Sequence, residues 1–196
     1  NGSEVCIAIR GTEAWFPDLD DLSADFLLGV GIVPAQYGVL VNFYNEMKTT
    51  GKISASDNVT IAGHSLGGFL SQLLMADHAG EFDAMYTYNA PGIGGIGMQQ
   101  LESKFGITPE NISAANMYNI LGDGVSNIAS LGTMLGDIVE VQIENDFLPT
   151  GDHTIKKLTD SLAVYDTLWQ LDNGLDIAAF NGVFKQSSNA EDISLE

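Results

Sequence analysis

Two hydrophobic rhythms alternate along this chain. Short runs dense in apolar and β-branched residues read as strands: "EVCIAIR" (4–10), "NVTIAG" (58–63), "FDAMYTYNA" (82–90), "ISAANMYNI" (112–120) and "DIVEVQI" (137–143). Between them apolar residues recur at helical spacing in "QYGVLVNFYNEMKTTG" (36–51), "SLGGFLSQLLMADHAG" (65–80), "GMQQLESKFG" (97–106) and "DHTIKKLTDSLAVYDTLWQL" (152–171). Gly51, Gly80 and Gly106 are stop signals for the first three. Strands alternating with helices predict an α/β fold around a mostly parallel sheet, because parallel neighbours need a crossover that a helix supplies.

The two ends of the chain depart from this rhythm. Asn1-Gly2 precedes the first strand directly, and Asn-Gly favours a two-residue hairpin turn with positive φ at both positions. Such a turn implies a preceding strand, so the expectation is that N-terminal strands lie outside this chain and that it is part of a longer polypeptide. The alternative is a loose terminus leading into a first strand. After about residue 175 the sequence turns polar and acidic. Residues 1–175 are therefore expected to form one domain and 176–196 a domain edge or linker.

Composition narrows the function classes. In 196 residues, 45% are hydrophobic and 17% charged, which predicts a folded body with one sizeable core. Twenty-six acidic residues against seven Lys and Arg give a formal charge of −19, which repels nucleic acid and anionic membranes. No apolar run is long enough to span a membrane, and the N-terminus does not read as a signal peptide. Cys6 has no partner for an internal disulfide and, within "VCIAI", is expected to be a buried core thiol. No His, Cys and acid cluster has metal-ligand spacing, "DLDD" and "GDG" lack the rest of a calcium loop, and "GIGGIG" lacks the context of a dinucleotide loop. Neither a metal nor a cofactor is expected.

One stretch carries chemistry. "GHSLG" (63–67) fits G-x-S-x-G between a predicted strand and a predicted helix, the context that turns this common pattern into a nucleophile elbow. The glycines let the tight turn pack against its neighbours, and the helix N-terminus points backbone N–H groups at a developing oxyanion. A serine nucleophile needs a base and an orienting carboxylate. The chain offers three histidines. His64 sits within the elbow. His78 falls ~20 Å along the helix from Ser65 at 1.5 Å per residue. His153, in the loop before the last helix, is the remaining candidate. With the order Ser, acid, His, the acid lies between 65 and 153. Asp123, Gly-flanked at a strand end, is the first choice, and Asp146 the second.

"IAIRGTEAWFPDL", "VTIAGHSLGGFLSQLL", "MYTYNAPGIG", "YNILGDGVS" and "GDHTIKKLTDSLAVYDTL" together resemble, in order, the segments of class 3 lipases, a branch of the α/β-hydrolase fold. The blocks cover more than half of the chain. The resemblance implies a serine hydrolase of lipid acyl esters, of lipase or phospholipase type. It implies Ser65 as nucleophile, Asp123 as triad acid, His153 as base, and an oxyanion hole from Thr12 and the backbone N–H of Leu66. The sequence departs from the family after Asp123, where "GVSN" replaces a Pro-containing segment. The family's hairpin strand and helix before the Arg-Gly-Thr block would lie upstream of Asn1.

The apolar stretch after Thr12 has two readings. Trp15, Phe16, Phe26, Leu27, Leu28, Val30 and Ile32 would form a lid or acyl-binding wall, or the later ones a buried strand. Residues 128–135, with Leu131, form a second candidate wall. The expected partner is a lipid or acyl-ester substrate, met at a lipid interface, in a secreted or extracellular bacterial-type setting. The competing class is a non-catalytic lipid-surface binding domain that retains the hydrolase fold.

Overall fold

In the computed structural model the described residues are 2–11, 35–93, 102–103, 116–122, 132, 134–143, 155–174 and 180–181. They form β1 (Glu4–Ile9), α1 (Ala35–Thr49), β2 (Asn58–His64), α2 (Leu66–Asp77), β3 (Ala84–Tyr88), β4 (Met117–Gly122), β5 (Asp137–Val141) and α3 (Ile155–Leu171). The five strands make one sheet in the order β1-β2-β3-β4-β5, and every pairing is parallel.

Strand alternation divides the apolar side chains between two faces. On one face Ile7, Val59, Ile61, Met85 and Met117 pack with Tyr37, Leu40 and Tyr44 of α1 and with Phe69, Leu70, Leu73 and Leu74 of α2. On the other, Ile120, Val141 and Ile143 pack with Leu158 and Tyr165 of α3, flanked by Tyr86, Tyr88 and Tyr118. Tyr86 stacks on Tyr118 with ring centroids 5.3 Å apart. The result is the three-layer arrangement, helices on both faces of a parallel sheet, that the alternating rhythm predicts.

Most predicted elements match the structure, with adjusted ends. Helix α2 stops at Asp77, and His78 caps it by donating its backbone N–H to the Leu74 carbonyl. Strand β4 runs on through Leu121 and Gly122, where the Gly-Asp-Gly signal predicted a break. Of the predicted helix at 97–106, only residues 102–103 are described, and they are helical. Cys6 corrects the sequence reading. Its run of apolar neighbours predicts burial, but it is exposed, because alternation turns it to the face opposite the buried Ile7. Among the described residues β1 has a strand on one side only, and Asn1 of the expected hairpin turn lies outside them. Phe180 and Asn181, within the segment read as a domain edge, lie against β5: Phe180 joins the α3-side core and Asn181 donates to the Glu140 carbonyl at 2.7 Å.

Candidate active site

The register aligns the C-terminal ends of the strands. Ile9 lies opposite Gly63, His64 opposite Tyr88, and Tyr88 opposite Ile120. The turn between β2 and α2 opens at this edge, and Ser65 is its single residue.

Ser65 adopts φ 55° and ψ −125°, a conformation an L-residue enters only under constraint. The constraint is visible in its neighbours. Its backbone N–H donates to the Tyr88 carbonyl at 3.0 Å, and its carbonyl accepts from Phe69 at 3.1 Å. A Cβ on Gly63 would stand 2.3 Å from the Gly67 carbonyl oxygen, and one on Gly67 would stand 2.1 Å from that of Ile9. A side chain at either position would push the turn off its neighbours. Serine is a favoured helix cap when its backbone is extended and its hydroxyl accepts from the first turn. Ser65 has neither property: φ is positive and its side chain makes no capping hydrogen bond. The helix start therefore leaves this serine without its usual structural use, while the backbone holds it at cost.

The chain leaving β1 crosses directly beside the elbow. A Cβ on Gly11 would lie 2.8 Å from the His64 carbonyl oxygen and 3.5 Å from the Leu66 nitrogen. The segment expected to supply the first oxyanion donor thus passes next to the backbone N–H expected to supply the second. Thr12 itself lies outside the described residues, as do Trp15, Phe16, Asp123, Asp146, Leu131 and His153. Their described neighbours are informative. Gly122, directly before Asp123, ends β4 at the same edge as Ser65, and α3 begins at Ile155, two residues after His153. The other histidines do not compete. His64 ends β2 inside the elbow, and His78 sits at the far end of α2 beside Asp77 and Glu81.

Two buried carboxamides flank the elbow. Gln72, on α2, donates through Nε2 to the Pro91 carbonyl at 2.7 Å. Asn89, just past β3 with φ 45°, accepts the Gly122 N–H on Oδ1 at 2.8 Å. Both residues are fully buried. The sequence gives Asn89 one signal, a polar residue at the end of an apolar strand beside a Pro-Gly turn, and Gln72 none beyond a polar residue on an apolar helix. Nearby, burial raises the Tyr88 phenol, with Tyr86 and Cys6 adding to it, so it stays neutral. Among the described residues no group of His, Cys, Asp and Glu is arranged to hold a metal ion.

The parallel sheet with a strained serine elbow at its C-terminal edge is the core of the α/β-hydrolase fold. No protein-family model matches the chain, and no curated protein matches it. Among solved structures it is similar to MGS-MChE2, an α/β-hydrolase enzyme from a sediment metagenome of the Mar Chica lagoon, at 13% identity and a TM-score of 0.37, covering 72% of this chain and 81% of that one. It is also similar to a carboxylesterase structure from the thaumarchaeon Nitrososphaera gargenis, at 12% identity and a TM-score of 0.41, covering 87% of this chain and 92% of that one.

Proposed function

We infer that this chain is a serine carboxyl-ester hydrolase that acts on lipid acyl esters through Ser65, Asp123 and His153. The observation that carries the reading is the elbow. A fully built backbone trap, with glycines at 63 and 67 that admit no side chain, holds Ser65 at φ 55° without using its hydroxyl as a helix cap. Strain of this kind persists only where surrounding structure enforces it, and it gathers at functional sites.

The chemistry follows from the roles. His153 takes the Ser65 proton as Oγ attacks the ester carbonyl, and Asp123 holds the imidazole in the right tautomer and stabilises its cation. The N–H of Leu66 at the start of α2 and Thr12 on the adjoining segment stabilise the tetrahedral oxyanion. The alcohol leaves with the proton from His153, and water, activated by the same base, releases the acid and regenerates Ser65. Trp15, Phe16 and Leu131 belong to the acyl-binding wall in this reading, and a lipid interface outside the cell is the setting it favours.

The test is covalent labelling with a fluorophosphonate together with turnover of a p-nitrophenyl ester and an emulsified triglyceride. The expected result is one label per chain at Ser65. Ser65→Ala should abolish labelling and lower turnover by about 10⁶-fold, with His153→Ala nearly as severe. A chain that binds lipid vesicles but takes no label would be a non-catalytic lipid-surface domain, and the hydrolase reading would fall.

A further inference from the structure

A run of hydrogen bonds crosses the sheet edge from the elbow to the end of β4. The Ser65 N–H donates to the Tyr88 carbonyl, the Asn89 N–H donates to the Ile120 carbonyl at 2.9 Å, and the Gly122 N–H donates to Asn89 Oδ1 at 2.8 Å. The first two bonds continue the parallel ladders. The third does not. It is a side chain reaching past the end of β3 to fix the last residue of β4, the residue directly before Asp123.

Asn89 is an expensive way to make that bond. It is fully buried, and its Nδ2 has no hydrogen-bond partner among the described residues. Its φ is 45°, a left-handed conformation that glycine enters freely and other L-residues do not. A glycine at 89 would remove the strain and the orphaned amide together. It would forfeit one described side-chain interaction, the bond to Gly122. Ile143 packs over Gly122, where a Cβ would meet its Cδ1 at 2.6 Å. The end of β4 is held on one side by the β5 ladder, which pairs Gly122 with Val141, and on the other by the bond to Asn89, the one side-chain hydrogen bond to Gly122 among the described residues.

We propose that Asn89 is a positioning residue for the triad acid: its carboxamide oxygen fixes Gly122 and so sets where Asp123 stands relative to the elbow. The same residue carries the Ser65 anchor one position earlier, at Tyr88, so nucleophile and acid are registered against a single dipeptide. In this role Asn89 acts through Gly122.

The inference rests on the assignment of Asp123 as the acid, and a double-mutant cycle separates the two. The variants are Asn89→Gly, Asp123→Asn and the pair, assayed on a soluble p-nitrophenyl ester, with kcat expressed per folded molecule. Asp123→Asn alone should lower kcat by about 10⁴-fold. Asn89→Gly alone should lower kcat by roughly 10–100-fold with KM within about twofold, as expected for a misplaced catalytic group. In the Asp123→Asn background the same change should cost less than about twofold, because the group it positions is gone. A fully additive pair, or an Asn89→Gly enzyme with normal kcat per folded molecule, overturns the role of Asn89 and leaves the acid assignment standing. An Asp123→Asn enzyme that keeps its rate overturns both. Asn89→Asp retains an oxygen acceptor for the Gly122 N–H, so it should recover most of the kcat lost in Asn89→Gly. Failure to recover any would count against the bond as the cause.

Discussion

The two edges of the sheet carry different kinds of side chain on their strained and buried positions. At the C-terminal edge the backbone is forced: Ser65 and Asn89 hold positive φ, glycines at 11, 63 and 67 are crowded by backbone atoms, and Gln72 Oε1 and Asn89 Nδ2 are buried without hydrogen-bond partners among the described residues. The N-terminal edge has strain of its own, at Asn116 with φ 62°, at the crowded Gly2 and Gly136, and at His78 Nε2, buried without a hydrogen-bond partner among the described residues, but its charged side chains form a connected network. The Tyr44 hydroxyl donates to Glu81 at 2.9 Å, Lys48 pairs with the same carboxylate and lies over the Tyr44 ring, and His78 Nδ1 stands 3.3 Å from Glu81. The Asp57 carboxylate accepts from the Ser3 and Ser54 backbone N–H groups, and Asp83 accepts from Val59 at 2.6 Å. A pocket of about 710 Å³ opens beside this second cluster, lined by Tyr44, Lys48, Glu81 and Asp83 among others. Its size does not make it the site. Its carboxylates are held by Lys48, Tyr44 and backbone N–H groups, and it lies at the opposite end of the sheet from Ser65. Strain alone does not separate the edges; what sets the C-terminal edge apart is that its strained residue is a serine in the turn between a strand and a helix.

The sharpest way to break the comparison is to put a side chain on one crowded glycine. Gly67→Ala puts a methyl 2.1 Å from the Ile9 carbonyl oxygen, so the elbow must shift. It should cost about 1–3 kcal/mol of stability and lower esterase kcat by roughly 100-fold. Gly80 is the matched control at the other edge. Its φ is 87° but nothing lies within 4 Å of a Cβ, so Gly80→Ala should cost about 1 kcal/mol from backbone strain alone and leave kcat unchanged. Equal kinetic effects of the two changes would erase the distinction drawn here.

Tyr44→Phe probes the matched cluster. Burial raises the Tyr44 phenol well above its ordinary value, and the bond to Glu81 adds to the shift, so the hydroxyl is a permanent donor. Removing it should lower stability by about 1 kcal/mol in denaturant unfolding, with no change in kcat.

The smallest effect concerns acid. Burial alone would raise Glu81, but hydrogen bonds from Lys48, Tyr44 and His78 outweigh it and hold the carboxyl below its usual range. Backbone N–H groups from Ser3 and Ser54 do the same for Asp57. A carboxyl depressed in the folded state adds stability that is complete above its unfolded pKa and is lost as pH falls through the folded value. Thermal stability should therefore decline below about pH 4. Asp57→Asn should flatten that decline without altering the neutral-pH rate. An unchanged acid limb would show that Asp57 is not one of its causes.

Sequence by itself determined the layers and the place of the serine elbow. Each strand and helix follows from a local period, and the elbow from five consecutive residues, "GHSLG", in strand-to-helix context. Period also sets which side chains share a face, yet not which face is covered. That is why Cys6, apolar by its neighbours, proved exposed. The tertiary structure decided what depends on residues far apart in the chain. It placed the Gly11 backbone beside Leu66, fixed the strand order that aligns the ends of β2, β3 and β4, and tied Asn89 to Gly122 across 33 positions of sequence. A hydrogen bond between distant residues leaves no periodic trace, because either partner alone reads as an ordinary turn residue. Only packing, which brings the strand ends within 3 Å of one another's polar atoms, shows what the asparagine holds.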